Sequence, residues 1–122
     1  MKKVIGLLVL FVLLSVPVAG FADRSGQKVA DAAITTKGGA LAGIVVLSGT
    51  TAQITVDVYD NASAASGNKV MPSWVIPASS TSRNQSVGFS VDPPVCPYYN
   101  GLYVDVTSTG PVTYEVYYLP TR

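Results

Sequence analysis

Residues 53–59 read Gln-Ile-Thr-Val-Asp-Val-Tyr, and this short run decides the fold class. Ile54, Val56 and Val58 alternate with Thr55, Asp57 and Tyr59, so an extended chain sends the first set to one face and the second to the other. Period two with β-branched residues on the apolar side predicts a strand with one buried face. The same reading extends to residues 86–91, where Val87, Phe89 and Val91 point inward, and to residues 102–107, with Leu102, Val104 and Val106 inward. In residues 112–118 the inward set is Val112, Tyr114, Val116 and Tyr118. Residues 44–47 are continuously apolar, as expected of a central strand covered on both sides.

Turn chemistry punctuates these runs at Gly38-Gly39, Ser48-Gly49, Asp60-Asn61, Asp92-Pro93-Pro94, Asn100-Gly101 and Gly110-Pro111. Short strands at this spacing predict an all-β fold, a single antiparallel β-sandwich of jelly-roll or Ig-like type. Residues 69–77 are ambiguous: Val70, Trp74 and Ile76 share one parity and Met71 and Val75 the other. Pro72 and Pro77 donate no backbone N–H, so this strand belongs at an edge or is bulged. No helical periodicity follows residue 22.

Before that point the chain changes character. Lys2 and Lys3 precede an apolar run over residues 4–14, and residues 15–22 combine Pro17 with small residues at Gly20 and Ala22. This is the layout of a signal peptide, predicted as a helix and cleaved after Ala22, with cleavage after Gly20 as the next choice. An uncleaved anchor is the alternative, and it is the only membrane contact expected. A lipid-modified N-terminus is excluded, because no cysteine lies at the cleavage site. The organisation expected is a signal peptide at 1–22, an N-terminal arm or edge strand at 23–39 and a β-sandwich domain at 40–122. The arm either pairs as the first strand of its own domain or adds to the edge of a neighbour.

Composition narrows the function. The 122-residue chain carries 8 Lys and Arg against 7 Asp and Glu; loss of Lys2 and Lys3 leaves 6 against 7, a net −1. No basic stripe exists for a nucleic-acid partner. Cys96 is the single cysteine, which leaves packing, a free thiol or a bridge between subunits, and Val95, Pro97 and Tyr98 beside it favour packing. Histidine is absent and Glu115 is the one glutamate, so the usual general base and the nucleophile triads are missing. A carboxylate pair would have to come from Asp23, Asp31, Asp57, Asp60, Asp92, Asp105 and Glu115. Asp57, Asp60, Asn61 and Ser63 offer hard oxygens for calcium, but Asp60-Asn61 is better explained as a turn. The reading is therefore of a non-enzyme with no cofactor and no metal.

The residues that suit binding are aromatic. Tyr59, Trp74, Tyr98, Tyr99, Tyr103 and Tyr117 are candidates to line a glycan or peptide surface, their competing role being cross-strand packing. In residues 55–67, TVDVYDNASAASG, and in residues 100–118, NGLYVDVTSTGPVTYEVYY, the chain resembles small β-sandwich proteins of bacteriophages and prophages, taken for accessory virion proteins of head-decoration or fibre kind. The resemblance spans roughly residues 40–118 and implies a compact sandwich displayed on a surface and repeated by assembly. Together these features predict an exported structural or adhesive subunit in the periplasm, on the cell surface or outside the cell. It would pair with copies of itself or another surface protein; the alternative is a glycan- or cell-wall-binding module.

Overall fold

The computed structural model describes residues 23–48, 50–81 and 84–121, and the predicted signal-peptide helix lies outside them. The described residues form nine strands: β1 (Asp23–Arg24), β2 (Ala32–Thr35), β3 (Gly39–Ser48), β4 (Ile54–Tyr59), β5 (Trp74–Ile76), β6 (Asn84–Gly88), β7 (Pro97–Tyr98), β8 (Leu102–Thr107) and β9 (Val112–Pro120). They make two antiparallel sheets, a five-stranded one ordered β1-β9-β3-β6 with β7 also on β3, and a four-stranded one ordered β2-β8-β4-β5. No helix occurs among the described residues.

Pairing is nested. β1 lies on β9, β2 on β8, β3 on β6 and β4 on β5, while β3–β9 and β4–β8 close the middle of each sheet. The chain thus passes back and forth between the sheets, and its first and last strands are neighbours. Between the sheets lies one shared core, giving a sandwich-like arrangement. Leu41, Ile44 and Val46 of β3 and Val116 of β9 meet Ile54, Val56 and Val58 of β4 and Leu102 and Val104 of β8, all fully buried. Each such aliphatic side chain contributes about 1.5–3 kcal/mol by leaving water.

The alternation read from residues 53–59 holds, since Ile54, Val56 and Val58 are buried and Thr55, Asp57 and Tyr59 are half-buried on the far face. Val104 and Leu102 are likewise inward, and Val87, Phe89, Val106 and Tyr118 pack against the core. In β3 the expectation of cover on both sides is not met: Val45 and Leu47 are only half-buried, because no element of the described chain lies over the outer face of that sheet. β5 resolves the ambiguous segment as an edge strand, with Trp74 and Ile76 turned to the core and Val75 exposed.

The N-terminal stretch pairs within its own chain. It supplies the edge strand of one sheet as β1 and of the other as β2, and between them Lys28 exchanges backbone hydrogen bonds with Tyr114. Arg24 fastens β1 from the side: its Nε donates to Glu115 Oε1 at 2.7 Å, and its guanidinium lies over the Tyr117 ring at 5.8 Å from the centroid. Glu115 points outward yet is only 8 % exposed. Gly101 closes the turn before β8 with φ of 138°, where a β-carbon would meet Thr35 O at 2.5 Å and Ala62 Cα at 2.9 Å. Only glycine fits that approach.

Candidate functional site

The outer face of the four-stranded sheet gathers the polar and aromatic residues of β4 and β8. Because the two strands are antiparallel, their outward sets fall opposite each other: Tyr59 faces Tyr103, Asp57 faces Asp105 and Thr55 faces Thr107. Directly opposed residues on one face have β-carbons about 4.5–5.5 Å apart, so two rings and two carboxylates form adjacent rows. The loop after β4 adds Lys69, bridged to Tyr59 through the backbone, with its ammonium 3.1 Å from Asp57 Oδ1 and 6.0 Å from the Tyr59 ring centroid. Ser73 donates its hydroxyl to Asp57 and accepts from Lys69 Nζ at 2.8 Å.

The two facing carboxylates occupy unlike environments. The Ser73 hydroxyl holds Asp57 below its ordinary range, and Lys69 acts in the same direction, against the effect of burial. Asp105 is pushed up, first by burial and then by the carboxylates of Asp31 and Asp57. Asp31 reaches this face from the turn before β2, where its Oδ1 accepts the Val106 N–H at 2.8 Å. Asp105 thus sits between two like charges, and the described residues place no cation within ion-pair distance of it. Opposed like charges are a cost to the sheet.

The six aromatic candidates do not form one surface. Tyr59 and Tyr103 stand together on this face. Tyr117 lies on the outer face of the other sheet, under Arg24. Trp74 faces the core from β5. Tyr98 is 1 % exposed, its hydroxyl has no hydrogen-bond partner, and burial followed by Tyr118 and Asp23 pushes its phenol up to about 12. Tyr99, its neighbour in sequence, is 76 % exposed.

Two of the four residues considered for calcium, Asp60 and Asn61, accept backbone amides, and Asp57 is held by Ser73 and Lys69. Asp60 Oδ1 accepts the N–H groups of Tyr99 and Asn100 at 2.9 and 2.7 Å. Asn61 Oδ1 accepts those of Ser63 and Ala64, and its amide donates to Ser66 O. Cys96 is buried, which raises its thiol. A second feature lies where β3 begins and β9 ends, a groove of about 460 Å³ whose walls include Val91, Pro94, Pro97, Tyr99, Leu119 and Pro120.

Sequence reasoning passed over Lys69 and the opposition of Asp57 to Asp105. Alternation within one strand puts Asp57 beside Tyr59 and Asp105 beside Tyr103, but only the register between strands brings the pairs together. No family model, no curated protein and no solved structure matches this chain.

Proposed function

We propose that the mature chain is an exported, non-enzymatic structural or adhesive subunit, a single jelly roll acting through surface contacts and self-association. The nested pairing supports the jelly roll over an Ig-like arrangement. Apart from the two-residue β7, eight strands divide between the sheets so that only β4 and β5, consecutive in the chain, share one. An Ig-like sandwich keeps several consecutive strands in one sheet. Residues 1–22 direct the chain to the periplasm, the cell surface or the outside. The resemblance of residues 55–67 and 100–118 to accessory virion proteins favours the same kind of role.

The observation that carries the reading is the Tyr59–Tyr103 and Asp57–Asp105 face. Four side chains suited to contact are held in fixed register on two central strands, each half-buried, with Lys69 and Ser73 closing over Asp57. Rigid aromatic residues bury area at low entropic cost, which suits them to a contact surface. Size-exclusion chromatography with light scattering and electron microscopy test it. The mature protein is expected as a defined oligomer or filament, and Tyr59→Ala with Tyr103→Ala as a folded monomer; a wild type that stays monomeric at all concentrations refutes it.

One observation favours a glycan-binding module as the second reading. The paired rings suit stacking on sugar faces, and carboxylates one row away suit hydrogen bonds to hydroxyls. A monomer retained on a glycan array, with retention lost in Tyr103→Ala, would decide for it.

A further inference from the structure

The end of the molecule at which β1 begins has an open apolar surface. Asp23 pairs with Tyr118, β9 continues past that point to Pro120, and Thr121 donates its N–H to Gly38 just ahead of β3. The groove walled by Val91, Pro94, Pro97, Leu119 and Pro120 opens here. Beside it Val95 is 64 % and Tyr99 76 % exposed, two of the four large hydrophobic side chains left open among the described residues. Single exposed hydrophobics need no explanation, but two of them flanking an apolar groove form a patch.

The chain itself names what this patch meets. Residues 1–22 lie outside the described structure and end at this patch, since Asp23 is already hydrogen-bonded into the sheet. Residues 4–14 of that segment are apolar throughout and partition into lipid. Only residues 15–22 separate that run from β1, a reach of at most about 29 Å, so a bilayer holding the run lies nearer this end of the domain than the far end, where Val29 sits. Tyrosine is favoured at the level of lipid headgroups, its ring among apolar groups and its hydroxyl in water. Lys37 and Asp92, exposed beside the groove, have opposite signs, so no anionic lipid is required.

We propose that this end is a membrane-contact face, with Val95 and Tyr99 seated at headgroup level of a zwitterionic bilayer while residues 1–22 remain attached. It rests on the membrane-directed reading of residues 1–22 and is independent of the assembly and glycan-binding roles.

The test uses the full chain in phosphatidylcholine vesicles with brominated acyl chains. Trp74→Phe removes the native fluorophore, and Tyr99→Trp or Val29→Trp places a reporter at either end. Emission from position 99 is expected to shift to the blue and lose intensity to bromine, while position 29 keeps its aqueous spectrum. Flotation reports separately whether residues 1–22 hold the chain on the vesicle. A chain that floats with position 99 as unquenched as position 29 overturns this proposal alone, and a chain that does not float overturns it together with the reading of residues 1–22. If the tryptophan variants misfold, hydrogen exchange on the wild type replaces them. Slowed amides over residues 91–99 with unchanged ones over 108–110 support the contact, and equal exchange with and without vesicles refutes it.

Discussion

In Asp105→Asn, one of two carboxylates facing each other across β4 and β8 is neutralised with almost no change in shape. Two unit charges about 6 Å apart repel by about 0.7 kcal/mol in bulk water and about 2.8 kcal/mol at an effective dielectric constant of about 20. Lys69, 3.1 Å from Asp57, cancels part of that field, and the site is open enough for salt to screen the rest. The low end therefore applies, a gain of about 1 kcal/mol at neutral pH. For a domain of this size that is about 4–8 °C in Tm. The sign of the pH dependence follows from the raised Asp105 carboxyl, which holds its proton more tightly in the folded chain than in the unfolded one. Its penalty is absent below the ordinary carboxylate pKa of 3.8 and grows as pH rises through the raised folded value. Calorimetry at pH 7 and pH 3 should find the variant more stable at the first and equal to wild type at the second. Asp57→Asn should do the reverse at pH 7, because the lowered Asp57 contributes stability above its unfolded pKa that is lost on acidification. An Asp105→Asn protein less stable than wild type at pH 7, or one whose gain is the same at both pH values, would show that burial and the carboxylates of Asp31 and Asp57 do not disfavour the Asp105 charge as argued.

Other perturbations probe the core, the turns and the first strand. Tyr98→Phe removes a buried hydroxyl that lacks a partner, so urea denaturation should find stability unchanged or raised by about 1 kcal/mol. Gly101→Ala forces a β-carbon toward Thr35 O, and the same assay should register a loss of about 1–3 kcal/mol. Arg24→Ala removes the side clasp on β1, and hydrogen exchange should speed up at Ser25 and Lys28 while Val56 and Val104 keep their protection. Cys96→Ala should cost about 1 kcal/mol through a small cavity, and a covalent dimer on non-reducing gels would contradict the packing role.

What was legible in the sequence was whatever a single strand encodes. Alternation placed Ile54, Val56 and Val58 in the core because a buried face writes its period directly into the residues. Aromatic identity, by contrast, does not report exposure. Tyr98 and Tyr99 are adjacent and identical, yet one is sealed in the core and the other stands in solvent, since successive side chains of an extended chain point opposite ways. The carboxylate pair was illegible for another reason: Asp57 and Asp105 are 48 positions apart, and their meeting depends on β8 sliding into one register on β4. The Glu115 clasp was illegible for a similar reason: nothing local announces that Arg24, from the other end of the chain, closes over it.

The adjacency of β1 and β9 has a mechanical consequence. Asp23 and Thr121 leave the domain side by side, so tension applied between the two ends opens the β1–β9 seam like a zip, loading its hydrogen bonds one at a time. A load carried instead from Asp23 to the start of β9 at Val112 runs along the strands and strains the β1–β9 bonds together. A copy tethered at Asp23 and gripped at the opposite end would hold under force, whereas copies strung from Asp23 to Thr121 would part at the first strand.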